Sequence, residues 1–344
     1  MLKPYIAKAL SRTDLTADEA EAAMSIIMTG QATQAQIGAY LVALRMKGET
    51  VDEITGSARA MRANAVRVNV APGGAVYDTA GTGGDGAHTF NISTAAAFVV
   101  AGTGRRVAKH GNRAASSACG SADVLAALGL SLDLTPEQVG QAVDEVGIGF
   151  MFAPKFHPAM RHAIGPRKEI GQRTIFNLLG PLTNPAGADV QVIGVYDPAL
   201  TEPLANVLAG LGSRAAFVIH GHGGTDELNP CGVNRVSHLK DGAVRSFDLD
   251  PEGLGFERAS VSDLRGGGPD DNAAMMREVL GGSVNGAMRN AVVLNAAAAI
   301  AAESGDLGAA VAEAGEALAS GAALGKLDAL LDYSRRVSPP PPVE

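Results

Sequence analysis

The chain lacks the features of several protein classes. Its 344 residues include only two cysteines, Cys119 and Cys231, so a disulfide-stabilised fold is not expected, and no Cys-x-x-Cys pattern suggests a metal site. A net charge of −8, from 28 Lys and Arg against 36 Asp and Glu, disfavours nucleic acids and anionic membranes as partners. The first residues form no signal-peptide core, and the apolar run at residues 296–302 is too short to span a bilayer. These absences predict a soluble, cytoplasmic protein.

Apolar residues and glycine are both plentiful. Hydrophobic residues make up 46% of the chain, enough for the core of one large domain or of two unequal domains. The 43 glycines exceed the share of about 7% that is usual in proteins. This excess indicates several loops in which the backbone itself lines a binding site.

Local patterns predict helices first and an α/β arrangement afterwards. Capping boxes begin at Thr16, Thr33 and Thr50, ahead of apolar stretches with helical period, and Gly30 and Gly48 fit helix ends. Beyond these helices, alanine-rich helical segments alternate with short strands, which predicts a mainly parallel sheet. The predicted strands are residues 76–79, 106–108, 190–196 and 215–220, with an antiparallel hairpin at 235–248 that turns at Asp241-Gly242 and a last helical stretch at 311–333.

The segment at residues 78–86, Asp-Thr-Ala-Gly-Thr-Gly-Gly-Asp-Gly, is the most informative part of the chain. A strand is predicted before it, and a helix N-terminus that carries Ser93 and Thr94 follows. Closely spaced glycines let backbone N–H groups approach a ligand, and a helix N-terminus adds further donors for an anion. The segment therefore predicts a phosphate-binding loop.

A dinucleotide-binding fingerprint is an alternative for the same loop, because residues 81–86 fit the pattern Gly-x-Gly-x-x-Gly. Two features argue against it. Residues 87–91 separate the third glycine from the helix, and Arg105 and Arg106 stand where an acidic residue is expected to hold a ribose hydroxyl. Arginines at these positions could still bind the 2′-phosphate of a dinucleotide. A purely structural glycine turn is a further alternative for this loop.

A second anion-binding segment is predicted at residues 107–117, Val-Ala-Lys-His-Gly-Asn-Arg-Ala-Ala-Ser-Ser. It combines two cations, a histidine, an amide and two hydroxyls, and Gly-Ser-Ala-Asp at 120–123 then opens a helix. A solvated basic loop is the usual explanation of such clusters. Here the neighbouring hydroxyl residues favour several simultaneous hydrogen bonds to one polyanion.

Several motifs together resemble those of the anthranilate phosphoribosyltransferase family. They follow one another in the family's order, and the resemblance extends from the N-terminal helices to about residue 335. The motifs are Gly-Thr-Gly-Gly-Asp at 81–85, Asn-Ile-Ser-Thr at 91–94, Lys-His-Gly-Asn-Arg at 109–113, Gly-Ser-Ala-Asp at 120–123, Thr-Ile-Phe-Asn-Leu-Leu-Gly-Pro-Leu-Thr-Asn-Pro at 174–185 and Asp-Glu-Leu at 226–228.

The resemblance implies an α/β fold with a small N-terminal helical domain and a large α/β domain whose central sheet is mainly parallel. The expected helical domain is residues 1–66, rejoined by about residues 164–180. The large phosphoribosyl-binding domain is expected at residues 67–335, with a flexible tail at 336–344. The family also suggests a homodimer formed through the helical domain.

The implied reaction transfers the phosphoribosyl group of 5-phosphoribosyl 1-pyrophosphate to the amine of anthranilate, in the second step of tryptophan biosynthesis from chorismate. Catalysis is expected to depend on Mg²⁺, and no residue is required as a nucleophile or general base. Two alternatives are a pyrimidine nucleoside phosphorylase of similar architecture and a non-catalytic relative that binds nucleic acid. Asn112 and Arg167, which match the family's acceptor site, and the acidic net charge argue against them.

The resemblance also assigns residues to the metal and the donor substrate. Asp226 and Glu227, with an oxygen of Ser93, are expected to bind Mg²⁺, a hard cation that prefers oxygen ligands. A solvated turn is the plain alternative for the acidic pair. Phosphoribosyl pyrophosphate is expected to contact Gly81, Gly84, Asp85, Thr89, Asn91, Ile92, Ser93, Thr94, Lys109, His110, Gly111, Asn112, Arg113, Ala114, Ala115, Ser116, Ser117 and Ser121.

Anthranilate needs an apolar slot and a group that binds its carboxylate. The resemblance assigns the carboxylate to Arg167, with Asn112 as the amide partner. The other expected contacts are Gly81, His110 and His157, and candidates for the walls of the slot are Met151, Phe152, Pro154 and Met160. Zinc is not expected at His157 and His162, because the pair lacks the His-Glu-x-x-His pattern.

Overall fold

A computed structural model describes residues 1–114 and 118–338 of the chain. The first part consists of the helices α1 (Lys3–Leu10), α2 (Ala17–Met28), α3 (Gln34–Lys47) and α4 (Val51–Ala63). The predicted capping boxes at Thr16, Thr33 and Thr50 are confirmed, since each hydroxyl accepts the backbone N–H three residues later and the Glu or Gln there returns the bond. These helices therefore begin where the sequence predicts.

A seven-stranded sheet forms the centre of the α/β part, in the order β3-β2-β1-β4-β5-β6-β7. Strands β1 to β5 are parallel, and β6 and β7 complete the sheet as an antiparallel hairpin. The strands are β1 (Val76–Gly81), β2 (Arg106–Gly111), β3 (Ile148–Phe152), β4 (Val190–Gly194), β5 (Ala215–His220), β6 (Asn234–Lys240) and β7 (Ala243–Leu249). The predicted fold class, a helical part followed by an α/β part with a mainly parallel sheet, is confirmed.

Helices connect and cover these strands. The α-helices are α5 (Ile92–Gly102), α6 (Ser121–Ala127), α7 (Pro136–Glu145), α8 (Ala153–Phe156), α9 (Arg161–Ile170), α10 (Phe176–Leu179), α11 (Thr201–Gly210), α12 (Pro269–Leu280), α13 (Ala287–Ala301), α14 (Leu307–Ala319) and α15 (Ala322–Val337). Short 3₁₀ turns occupy Pro158–Met160, Pro198–Leu200, His222–Gly224, Pro251–Leu254 and Val261–Leu264.

Several local predictions can be compared with these bounds. The hairpin turns at Asp241 and Gly242, whose positive φ angles of 51° and 74° suit the tight turns that match strand twist. Strand β3 was not predicted. The single helical stretch expected at 311–333 is wrong in one respect, because Gly321 adopts a left-handed conformation and separates α14 from α15. Helix α15 continues two residues into the predicted tail, and residues 339–344 lie outside the described ranges.

Two hydrophobic layers cover the faces of the sheet. Val192 and Phe217 point into a large core with α5, α13 and α15, whereas their neighbours Ile193 and Val218 point to the opposite face. On that opposite face they join one continuous cluster with the N-terminal helices, α10 and α11. The helices at 161–179 thus pack with α1 to α4 although they lie far along the chain.

The strand directions decide where functional groups collect. Because β1, β2, β4 and β5 are parallel, the segments that follow them start at the same edge of the sheet. The glycine-rich segment follows β1, the Lys-His-Gly-Asn-Arg segment ends β2, and the acidic pair follows β5. Ligand sites of open parallel sheets lie at this carboxyl edge.

Candidate active site

The glycine loop after β1 closes around the side chain of Asp226. The backbone N–H of Gly83 donates to Asp226 Oδ2 at 2.7 Å, and Gly83 has a positive φ of 67°. An ideal Cβ on Gly81 would lie 2.3 Å from the same carboxylate oxygen. The close approach of loop and carboxylate therefore requires glycine at position 81.

Glu227 connects the acidic pair to the beginning of α5. Its Oε1 accepts the Ser93 backbone N–H at 3.0 Å, and its Oε2 accepts the Thr89 hydroxyl at 3.1 Å. A helix N-terminus attracts negative charge, and here a carboxylate of the chain itself takes that position. The structure thus brings together the glycine loop, the α5 N-terminus and the acidic pair.

Three neighbouring carboxylates create electrostatic repulsion at this place. Burial and then the negative charge of Asp85 raise the pKa of Asp226 above its ordinary range. Burial and the charge of Asp226 raise the pKa of Glu227 in the same way. Asp85 Oδ2 also accepts the Asp226 backbone N–H at 3.3 Å, which fixes its distance from the pair. A cation placed among these oxygens would relieve the repulsion.

The donor groups fit a magnesium ion that is shared with a substrate. Within residues 1–114 and 118–338, no three Asp, Glu, His or Cys side chains form a metal cluster by themselves. Mg²⁺, however, is usually held by one or two carboxylates together with waters and phosphate oxygens of the substrate. The buried carboxylates of Asp226 and Glu227 supply that part of a coordination sphere.

The first residues of α5 are largely buried. Ile92 and Thr94 are 0% and 1% exposed, so their side chains face the core. The Asn91 amide donates to the Cys119 carbonyl at 3.2 Å and accepts a hydrogen bond from Asn272 at 2.9 Å. These side chains are thus engaged within the protein, and the Ser93 N–H of the same helix end binds Glu227.

The second anion-binding segment is shaped by Asp123 at the start of α6. One oxygen of Asp123 accepts the backbone N–H groups of Ala114 and Gly120 at 2.9 and 3.0 Å, and the other pairs with the Arg113 guanidinium at 2.8 Å. Ser121 Oγ accepts the Asn112 N–H at 3.2 Å. The predicted contacts Ala115, Ser116 and Ser117 lie outside the described residues.

Lys109 lies beneath the loops rather than on their surface. The residue is 3% exposed, and its Nζ donates to the Thr79 carbonyl of β1 at 2.6 Å. Burial lowers the pKa of Lys109, while the charges of Asp78 and Glu227 act in the opposite direction. In this arrangement the ammonium group contributes positive charge near the acidic pair and no direct surface donor.

Asp78 and Asn184 form a buried polar network that the sequence did not reveal. Asp78 accepts the His110 backbone N–H at 3.2 Å and the Asn184 amide at 2.8 Å, and the same amide donates to the Ala108 carbonyl at 2.8 Å. Burial, opposed by Lys109, raises the pKa of Asp78 to about 6. An acidic residue inside an otherwise apolar strand was the available signal for this network.

Two buried histidines form the first part of the expected acceptor site. The ring centroids of His110 and His157 are 5.0 Å apart. The rings bond to the backbone at Gly180 and Thr183, and within the described part of the chain each buried Nε2 has no hydrogen-bond partner. Burial lowers the pKa of His110 to about 3 and that of His157 to about 4, so both rings are neutral near pH 7.

Arg167 is the second part of the expected acceptor site. It lies on α9, is half-buried, and its guanidinium carbon is 5.1 Å from the ring centroid of Phe176 on α10. Burial lowers the pKa of Arg167. Phe176 contacts Arg167, and the backbone a few residues later, at Gly180 and Thr183, bonds to the two histidine rings. One short stretch of chain therefore contacts both the arginine and the histidines.

Met151, one of the residues predicted to line the acceptor slot, lies beside His110. Residues 148–152 form strand β3, in which Met151 pairs in register with His110 of β2, so the two side chains lie on the same face of the sheet. Met151 is fully buried and packs with Val76 and Ala108, and its contact with the acceptor stays a prediction.

Arg173 is a further residue at the glycine loop that the sequence did not identify. Its guanidinium carbon stacks 3.7 Å from the Tyr196 ring centroid, and a guanidinium nitrogen donates to the Gly84 carbonyl. The residue follows α9 by a few positions and so connects the Arg167 segment to the phosphate loop. No feature of the sequence marks this contact.

The comparisons with known proteins cover nearly the whole chain. Residues 3–65 match the glycosyl transferase family, helical bundle domain, and residues 73–324 match the glycosyl transferase family, a/b domain. An anthranilate phosphoribosyltransferase of Desulfosudis oleivorans is 53% identical over 337 residues, which cover 97% of this chain and 99% of the relative. The chain belongs to the anthranilate phosphoribosyltransferase family.

Solved structures of anthranilate phosphoribosyltransferases share the fold. The enzyme of Thermus thermophilus has a TM-score of 0.91 at 46% identity, with 96% of this chain and 99% of that chain covered. The Saccharomyces cerevisiae enzyme in complex with PRPP and Mg has a TM-score of 0.89 at 30% identity, with 97% and 98% covered. No helix within residues 1–114 and 118–338 combines the length and apolar character that crossing a membrane requires.

Proposed function

We propose that this chain transfers the phosphoribosyl group of 5-phosphoribosyl 1-pyrophosphate to the amine of anthranilate. The products are N-(5-phosphoribosyl)anthranilate and pyrophosphate, and the reaction is the second step of tryptophan biosynthesis from chorismate. The observation that carries the proposal is the convergence of the glycine loop, the α5 N-terminus and the Asp226–Glu227 pair at one edge of the sheet. The shared name of the curated relatives supports the same reaction.

The donor substrate carries several negative charges. The N–H groups of Gly83 and Ser93 bind the acidic pair, so the other N–H groups of the glycine loop and of the α5 N-terminus would meet the phosphate oxygens of the donor. The loop around Asn112 and Ser121 extends this surface on the neighbouring strand β2. Lys109 supplies a buried positive charge under both loops.

Asp226 and Glu227, with Ser93 beside them, would hold Mg²⁺ together with the pyrophosphate of the donor. When bound, the ion would offset negative charge that develops on the leaving group. The residues of the chain do the positioning. Gly83 and Ser93 hold one oxygen of each carboxylate by backbone N–H groups at 2.7 and 3.0 Å. A structure of the yeast relative in complex with PRPP and Mg supports these two as ligands of the site.

The acceptor requires orientation more than activation. An arylamine is neutral near pH 7 and can attack C1 of the ribose directly, so bond breaking at C1 sets the barrier. Arg167, with Asn112, would hold the anthranilate carboxylate, since a guanidinium pairs with a carboxylate in two parallel hydrogen bonds. The neutral rings of His110 and His157 would border the amine. Alignment of amine and C1 then supplies much of the rate enhancement.

The loss of anthranilate fluorescence tests the proposed reaction. Purified protein is mixed with anthranilate, phosphoribosyl pyrophosphate and Mg²⁺, and a parallel sample contains EDTA. Fluorescence loss that requires both the donor and the metal supports the proposal. A flat trace from folded protein contradicts it and directs the next assay to uridine or thymidine with phosphate.

We further propose that residues 1–66 and about 164–180 form the small domain of a cytoplasmic homodimer. Leu10, Val42, Met46 and Ile164 are apolar and 40–69% exposed, and all of them lie on α1, α3 and α9. Clustered exposed apolar side chains indicate an interface. Light scattering after gel filtration tests the dimer, and Val42→Glu with Met46→Glu is expected to give a monomer. The cytoplasmic location is tested by cell fractionation.

A further inference from the structure

A buried amide on a distant helix pairs with the residue directly after the acidic pair. Asn295 lies in α13, is 3% exposed, and every other buried residue of that helix is apolar. Its Oδ1 accepts the Leu228 backbone N–H at 3.1 Å, and its Nδ2 donates to the Leu228 carbonyl at 2.8 Å. The amide therefore binds both backbone groups of Leu228, as a neighbouring β-strand would.

A second buried amide holds the chain on the other side of the acidic pair. Asn229 is fully buried, and its Nδ2 donates to the Thr225 hydroxyl at 2.8 Å and to the His222 carbonyl at 3.0 Å. The Thr225 hydroxyl in turn donates to the Glu227 carbonyl at 2.8 Å. The backbone before and after the two acids is thus fixed by side chains that do not themselves face the carboxylates.

We infer that Asn229 and Asn295 are positioning residues that keep Asp226 and Glu227 together for Mg²⁺–pyrophosphate binding. The physical reason is that two buried carboxylates repel each other, so a mobile loop would let them separate. A short loop whose backbone is bonded to buried amides cannot relax in this way. The inference rests on the proposed function, because it concerns the metal site assigned there.

The amides could instead contribute only to general stability, since an unpaired buried carbonyl is costly anywhere in a protein. The two roles predict different results. Residues that orient metal ligands typically change metal affinity by roughly 10- to 100-fold when they are mutated. A purely structural amide lowers the melting temperature and leaves the affinity of the folded protein for the metal unchanged.

The test compares Asn295→Ser and Asn229→Ser with the control Ser334→Ala. Ser334 is 1% exposed and accepts the Ser131 N–H at 2.9 Å, so the control also removes a buried hydrogen bond to the backbone, at a place in α15 away from the acidic pair. Three quantities are measured for the full chain: the Mg²⁺ concentration for half-maximal rate, the KM for anthranilate at saturating Mg²⁺, and Mn²⁺ binding by electron paramagnetic resonance with pyrophosphate present.

The expected result is a rise of about 10-fold or more in half-saturating Mg²⁺ and in the Kd for Mn²⁺. The KM for anthranilate and all values of the control stay near those of the wild type. Unchanged metal binding in a folded variant, or an equal change in the control, overturns the inference. If Asn295→Ser does not fold, Asn229→Ser decides. An inactive wild type would contradict the proposed function, while Mn²⁺ binding would still test the positioning role.

Discussion

A methyl group at position 81 is expected to disable the acidic site without unfolding the protein. Gly81 has no left-handed φ, so alanine fits the backbone there. Its Cβ would lie 2.3 Å from Asp226 Oδ2 and 3.0 Å from Asp226 Cγ. The carboxylate must therefore move by roughly 1 Å to reach ordinary van der Waals contact. This movement also breaks the hydrogen bond of 2.7 Å from the Gly83 N–H.

The magnitude follows from that displacement. A misplacement of about 1 Å at a catalytic site costs on the order of 100-fold in rate. We therefore expect kcat/KM for phosphoribosyl pyrophosphate to fall about 100-fold in Gly81→Ala, which corresponds to about 2.7 kcal/mol of transition-state stabilisation. The melting temperature is expected to change little, because the clash involves the end of a side chain.

The assay is the loss of anthranilate fluorescence at several donor concentrations. Gly325→Ala is the matched control, because Gly325 lies in α15 and, apart from the backbone of its own helix, a Cβ there meets no heavy atom within 4 Å. The control should keep wild-type kinetics. Activity of Gly81→Ala within about threefold of the wild type, a difference below about 1 kcal/mol, would refute the argument that the loop depends on this close approach.

Three further predictions concern the remaining site residues. Arg167→Ala should raise the KM for anthranilate far more than that for the donor, in steady-state kinetics with each substrate varied, and an unchanged KM for anthranilate would remove Arg167 from the acceptor site. Asp226→Asn with Glu227→Gln should abolish the Mg²⁺ dependence of the rate, measured in a metal titration; a retained wild-type dependence would place the metal elsewhere. Burial lowers the pKa of His157 from 6.5 to about 4, so the unfolded chain binds the extra proton first and stability falls as the pH drops below 6.5. When the pH is lowered from 7 to 5, the free energy of unfolding of His157→Asn should therefore decrease by about 2 kcal/mol less than that of the wild type, as measured in urea titrations. Equal decreases in the two proteins would contradict the lowered pKa.

The parts of the fold with local causes could be predicted from the sequence. Thr16, Thr33 and Thr50 each carry the Glu or Gln three residues later that completes a capping box, so the helix starts depend on a few neighbouring residues. The hairpin turn is equally local, because Asp241 and Gly242 tolerate positive φ angles. The order of the motifs along the chain then indicated the protein family.

Features that depend on distant contacts could not be predicted in this way. Strand β3 is short, and only its pairing with β2 distinguishes it from a loop. Lys109 was expected at the ligand surface, but the Thr79 carbonyl on the neighbouring strand binds it inside the fold. The amide of Asn295 meets Leu228 across 67 positions of the sequence. No periodicity or motif records such a contact, because its cause is the packing of a helix on the sheet.

The apolar cluster shared by the N-terminal helices and one face of the sheet also determines what a truncation of the chain would expose. Ile27 and Leu41 of these helices belong to the same apolar cluster as Ile193 of β4 and Val218 of β5. If residues 1–66 were removed, the apolar sides of α9, α10 and α11 that pack against α2, α3 and α4 would be exposed to water, and the excised helices would lose the apolar surface that they bury there. The N-terminal helices are thus a continuous segment of the sequence, but their thermodynamic stability depends on contacts with the rest of the chain.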